Sequence, residues 1–294
     1  MLENNYLKVE INPLGAELFS IQGVKSGVEY LWQGDEKYWK SRSPVLFPIV
    51  GALYNSSCKI EGESYSMRQH GVARHLEFAI VEQSKTHVIY SLESSPETKE
   101  NYPYDFTLYI KYELLESSIV ISYQVVNPSQ QSIYFQLGAH PGFNFLNFDP
   151  QAPVQGYFLL NDAAQNHTLT INQINGSGYL IPEQREMTLE GGKIAITKEL
   201  FDHDALILED NQSHDISLLT AQDEEYIRVR YDAPVVGLWS KPCGGYAPFT
   251  CIEPWYGRCD RDNYSGEFKD KDWMQHLAPN SSFSTQIRID IIES

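Results

Sequence analysis

Apolar and polar residues alternate with a period of two along most of this chain, and sustained helical periodicity is nearly absent. Successive side chains of a strand point to opposite faces, so such a pattern asks for sheets with one face buried. Phe106, Leu108, Ile110, Tyr112 and Leu114 share one face, while Thr107, Tyr109, Lys111 and Glu113 share the other. The pattern resumes with Ile119, Ile121, Tyr123 and Val125 after a break at Glu116-Ser117, which predicts a hairpin. Leu7, Val9 and Ile11 alternate in the same way, as do Phe283, Thr285, Ile287, Ile289 and Ile291. Further strands are expected over 76–84, 86–93, 132–138, 204–209, 215–220 and 226–231, with helical turns only near Glu36–Trp39 and Lys271–His276. Strands at this density, without alternating helices, imply an all-β fold: a large antiparallel β-sandwich. No Gly/Ser-rich, Pro-rich or charged tract divides the 294 residues, so a single domain over 1–294 is expected.

An apolar content of 42%, with 13% aromatic residues, suits a packed core. The net charge of -17 argues against nucleic acid or an anionic membrane as partner, since both carry negative phosphates. A local basic cluster stays compatible with one small phosphate. No run of about 18 apolar residues offers a membrane span. The opening MLENNYLKVEINP has neither the basic start nor the apolar stretch of a signal peptide, so a soluble, cytoplasmic protein is expected. The cysteines are Cys58, Cys243, Cys251 and Cys259; none forms a CxxC pair and no histidine stands at zinc-ligand spacing beside them. Buried or reduced thiols are the expectation, with a metal site as the minor alternative.

Four polar segments interrupt the strands beside Gly or Pro: 38–51, RQHGVAR at 68–74, LGAHPGFN at 137–144 and FTCIEPWYG at 249–257. Loop ends on a rigid β scaffold are where functional groups concentrate. His140 follows the apolar IYFQLGA and precedes Pro141, a position that suits a held proton donor and suits a structural histidine equally. Glu253 interrupts an apolar strand, which predicts burial, a raised pKa and use as a general base. The neighbouring Trp255 adds an aromatic face of the kind that stacks on sugars. His70 and Arg74 flank Gly71 in a polar loop; Arg42 precedes PVLFPIV and suits a hydroxyl, a phosphate or plain surface. Asp202 and Asp204 open DALIL, where a turn cap is the plainer role, and Trp239 suits either stacking or the core.

Taken in order, these segments resemble the aldose 1-epimerase (galactose mutarotase) family, and within it a LacX-like branch. The matching residues are Trp39, Pro44 to Gly51, His70-Gly71-Val72-Ala73-Arg74, His140-Pro141-Gly142-Phe143, Asp204-Ala205-Leu206 and Cys251-Ile252-Glu253-Pro254-Trp255-Tyr256-Gly257. The resemblance implies a large antiparallel supersandwich without cofactor or metal. It implies His140 as the acid at a sugar ring oxygen, Glu253 as the base at the C1 hydroxyl, and His70 as a hydrogen-bonding partner near the ring oxygen. Arg74 and Asp204 would bind hydroxyls. Asp202-His203 resembles the galactose mutarotase branch instead, and Arg42 stands one residue from the family's usual arginine.

The same acid and base would serve a hexose-6-phosphate 1-epimerase, for which Arg42, Arg68, Arg74, Lys241, Arg258 and Arg261 are the available cations. A glycoside hydrolase needs two flanking carboxylates, and only Glu253 and, more weakly, Asp204 offer them. A sugar-binding sensor without chemistry is a third alternative.

Overall fold

In the computed structural model, which describes residues 1–293, Thr107–Leu115 and Ser118–Val126 form the expected hairpin. Leu115 pairs with Ser118, and Glu116 turns the chain at φ 54°. Matching periodicity then sets the lateral neighbours. Tyr112, Ile121, Ile287 and Tyr231 align across four strands, and Leu114, Ile119, Ile289 and Val229 form the next row. All eight are buried, so each cross-strand row contributes to the same core face.

This face belongs to a nine-stranded sheet ordered Lys193–Ala195, Gly156–Leu160, Asp215–Thr220, Glu225–Tyr231, Ser282–Ile291, Ser118–Val126, Thr107–Leu115, His87–Glu93 and Ala79–Gln83. An eight-stranded sheet runs Leu180–Thr188, Thr168–Ile174, Leu206–Leu208, Val235–Trp239, Phe249–Tyr256, Leu137–Ala139 and Val45–Leu46, with Gly142–Asn144 also on Phe249–Tyr256. Every strand pairing in the two sheets is antiparallel. One apolar cluster joins Leu108, Ile110 and Ile121 of the first to Leu206, Leu208, Leu238 and Ile252 of the second. The fold is thus the expected all-β sandwich.

The alternate residues of the eight-stranded sheet face away from that core. Ile207, Val235 and Trp255 gather in one small cluster, and Trp32, Phe249 and Cys251 in another with Trp39 and Trp239 against it. Both faces of Phe249–Tyr256 are therefore covered, which explains why Phe249 through Trp255 are all buried and why polar alternation is lacking.

Two expected elements differ. The helical turn placed near Lys271–His276 is instead a 3₁₀ turn at Phe268–Asp270, and His276 lies in the strand Gln275–Leu277, which pairs with Ile133–Phe135. The single strand over 132–138 is split at Gln136. This fully buried amide accepts from Val50 N–H and donates to the Asp272 carbonyl, so the two halves join different sheets. The turn at Glu36–Trp39 is present, with Tyr38 and Trp39 N–H both donating to the Asp35 carbonyl. No helix of the described residues is long and apolar enough to cross a membrane.

A core shared by both sheets predicts one cooperative unfolding unit. Melts followed by far-ultraviolet circular dichroism and by tryptophan fluorescence should coincide; two separated transitions would divide the chain.

Candidate active site

Sheet register assembles the centre of the site. Gly138 pairs with Trp255 and Gly142 with Cys251 on the same partner strand, so the register on either side places His140 opposite Glu253. Residues opposite each other in such a pair project from one face. His140 Nε2 lies 3.2 Å from Glu253 Oε2, with both side chains buried. On the other flank of the same strand, Gly237 pairs with Glu253 and Trp239 with Cys251. A Cβ at Gly237 would stand 2.5 Å from the Trp255 ring, so only glycine leaves room for the indole there.

Aromatic rings hold His140. Trp39 stacks on its imidazole at 4.7 Å and 28°, while Trp239 meets it edge-on at 5.4 Å. Trp39 is itself fixed by Phe249 at 5.6 Å, and its carbonyl accepts from the Trp32 indole N–H at 2.7 Å.

His70 reaches the site from the opposite loop. Its φ of 67° is left-handed, a conformation that costs a non-glycine residue about 1–3 kcal/mol unless its surroundings enforce it. They do: His70 N–H donates to the Gly51 carbonyl, and Gly51 N–H donates back to His70 Nδ1 at 3.2 Å. Gly71 follows at φ 79°, where a Cβ would stand 2.3 Å from the Phe47 carbonyl oxygen. Burial first, and Arg74 second, push the His70 pKa down to about 3, so the ring is neutral. With Nδ1 accepting, its one proton sits on Nε2, and His70 is a hydrogen-bond donor.

The pKa values of His140 and Glu253 are displaced in opposite directions. Burial, then His70 and Arg74, hold His140 well below the ordinary histidine value. Burial, then Asp204, hold Glu253 well above the ordinary carboxyl value. Buried charge is disfavoured on both, which favours neutral imidazole and carboxylic acid, a pair holding two protons. Moving one proton from Glu253 to His140 gives imidazolium and carboxylate with the pair's proton count unchanged.

These groups line a cavity of about 310 Å³ together with Trp39, Gln69, Arg74, Asp204, Trp239, Lys241, Trp255 and Cys259. This lies at the small end of ligand pockets, about 300–1,000 Å³. Most residues singled out from sequence are thus brought together: His70, Arg74, His140, Asp204, Trp239, Glu253 and Trp255. Asp204, not Asp202, is the one that lines the cavity. Its φ is 68°, and its carboxylate accepts from Ala205 N–H.

Arg42 also lies elsewhere. Its guanidinium lies 3.5 Å over the Phe19 ring and donates to the Phe19 carbonyl and Gln33 Oε1, outside the cavity lining. Its backbone carbonyl accepts from Gly142 N–H, which ties its segment to the one that follows His140. Sequence reasoning also missed Gln69 as a lining residue and Cys251 as a neighbour of the pair. Cys251 shares strand parity with Glu253 and Trp255, the one signal that pointed to it.

Among the cations weighed for a phosphate, Arg258 is buried against Glu209 and Asp272, and Arg261 also bonds Asp272. Only Arg74 and Lys241 reach the cavity.

A family model described as aldose 1-epimerase matches residues 1–270. The chromosomal LacX protein of Lactococcus lactis subsp. lactis is 30% identical over 308 aligned positions, covering 99% of this chain and 98% of that protein. The crystal structure of a galactose mutarotase related enzyme from Lactobacillus acidophilus superposes with a TM-score of 0.91 at 32% identity, covering 99% of this chain and 96% of that one. A galactose mutarotase-like protein from Lactobacillus casei ATCC 334 gives the same TM-score at 25% identity, with 99% of both chains covered. The chain belongs to the aldose 1-epimerase family, isomerases of the sugar epimerase and mutarotase type.

Proposed function

We propose that the protein interconverts the α and β anomers of a free hexose. The observation that carries this reading is the buried His140–Glu253 pair at 3.2 Å facing a cavity walled by tryptophans. Opening a cyclic hemiacetal needs a proton delivered to the ring oxygen and a proton taken from the C1 hydroxyl. Both oxygens hang on one carbon, so acid and base must stand side by side. Glycosidases instead separate their two carboxyls by about 5–9.5 Å to flank a scissile bond.

His140 as imidazolium gives its proton to the ring oxygen while Glu253 as carboxylate accepts the C1 hydroxyl proton. The ring opens to the aldehyde, and the pair is left as neutral imidazole and carboxylic acid. Rotation about C1–C2 presents the other carbonyl face. Closure reverses both transfers and restores the ion pair. The pair therefore holds two protons before and after each turnover, and its resting protonation is that of the ring-opened state. His70 Nε2–H donates near the ring oxygen. Arg74 and Asp204 bind hydroxyls, and Trp239 packs against the apolar face of the sugar. The chemistry asks for no cofactor or metal, and four unpaired cysteines suit a reducing cytoplasm.

Arg74 is partly buried with a hydrogen bond to Ser41 Oγ as its side-chain contact, so its other donors are free for substrate. Arg74→Ala should raise KM by about 10–100-fold, the value of a hydrogen bond to a charged group, and lower kcat less. A loss confined to kcat would move Arg74 into the proton transfers.

Arg74 and Lys241 at the cavity favour one second reading, a hexose 6-phosphate as substrate. Polarimetry starting from single anomers of galactose, glucose and their 6-phosphates decides. Faster exchange of free sugars supports the proposal, faster exchange of phosphates supports the second reading, and tight binding without exchange supports a sensor.

A further inference from the structure

Cys251 has no part in the reaction above. It stands two residues before Glu253 on Phe249–Tyr256, so the two side chains project from one face. Its Sγ, a ring nitrogen of His140 and a carboxylate oxygen of Glu253 all lie within 4.8 Å of one another, and all three residues are buried. Nothing in the spacing of the cysteines foretold this; pairing of Gly142 with Cys251 creates it.

Two polar atoms of these residues lack partners. His140 Nδ1 and Glu253 Oε2 are buried without a hydrogen bond, and for Oε2 the 3.2 Å approach of His140 is misaligned. Buried polar atoms are rarely left so, and they mark a place built to receive something. The sugar oxygens account for the His140–Glu253 side, but they leave the thiol unused.

Imidazole, thiolate and carboxylate together are a donor set for zinc, which takes nitrogen and oxygen at about 2.0–2.2 Å and sulfur at about 2.3 Å in a tetrahedron. Donors around such an ion stand roughly 3.5 Å apart. The His140–Glu253 separation of 3.2 Å already fits, and Cys251 Sγ lies within 4.8 Å of both. His140 and Glu253 line the cavity, the side from which a fourth ligand would come.

We propose that His140, Cys251 and Glu253 form a site for a soft divalent cation of the Zn²⁺ class, which shuts the enzyme off by occupying its acid and base together. The ion replaces the thiol proton of Cys251 and the carboxyl proton of Glu253, and both protons pass to solvent. Binding stands on the ligand geometry alone; the inhibition rests on the epimerase reading.

Cd²⁺ added to the full chain reports the thiolate directly through its ultraviolet charge-transfer band. One band-forming ion per chain is expected. Cys251→Ser should abolish the band and weaken Zn²⁺ binding in calorimetry by at least about tenfold, while exchanging anomers at the wild-type rate without metal. Cys243→Ser, which removes the exposed thiol, should keep the band. His140→Asn should weaken Zn²⁺ binding by a similar factor, an effect that needs no activity to be read. Zn²⁺ should inhibit wild type competitively with sugar, and a chelator should restore the full rate. A Cd²⁺ band that persists in Cys251→Ser, or His140→Asn binding Zn²⁺ like wild type, overturns the site. If the ion binds as described but wild type exchanges no anomers, the site stands and the epimerase reading falls.

Discussion

Glu253→Gln is expected to lower kcat for anomer exchange by about 10²–10⁴-fold, the usual worth of one positioned general base. That is about 3–5 kcal/mol of barrier. The amide keeps the shape of the carboxyl group in a strand buried on both faces, so packing beside Trp255 and Gly237 survives. It removes the carboxylate oxygen 3.2 Å from His140 Nε2 and cannot take the C1 hydroxyl proton. The buried group has no charge to lose in its resting acid form, so folding stability should change little. Polarimetry from a single anomer gives kcat, and tryptophan fluorescence gives sugar binding separately. Wild-type exchange by this variant would remove Glu253 from the chemistry.

His140→Asn should cost a comparable factor, because asparagine can hydrogen-bond the ring oxygen but cannot deliver a proton to it. In the proposed reaction acid and base act in one proton exchange, so the double variant should lose much less than the product of the single losses. The pH profile carries a second signature. In wild type the active pair holds two protons, and a third must land on His140, whose pKa is depressed by burial, His70 and Arg74. As pH falls, kcat/KM should therefore hold through the ordinary histidine value of about 6.5 and decline only well below it. An acid limb centred near 6.5 would show that His140 titrates as an exposed imidazole and that the burial argument fails.

Most of the fold was legible in sequence because antiparallel hairpins join neighbours along the chain. The alternation from Phe106 to Val125, with its break at Glu116-Ser117, contains both strands, their inner faces and the turn between them. Burial of Glu253 was legible for a related reason, since a carboxylate inside an apolar run has nowhere to put its charge. The turn expected near Lys271–His276 was misplaced because short helical turns leave little periodicity to read. The break at Gln136 was hidden because that amide finds its partners, Val50 and Asp272, far away in sequence.

The sequence by itself determined which side chains share a face of their own strand, and hence an all-β sandwich with polar segments at its strand ends. Periodicity says nothing of which strand arrives alongside or in what register. Only the tertiary structure brought His140 opposite Glu253, through pairings that hold Gly138 against Trp255 and Gly142 against Cys251. That register also chose Cys251 as their third neighbour. Packing of the loops selected Asp204 over Asp202 and turned Arg42 outward onto Phe19. Local pattern fixes direction along and across one strand, whereas a site needs a distance between strands, and that distance is set by hydrogen-bond register and by what the core excludes.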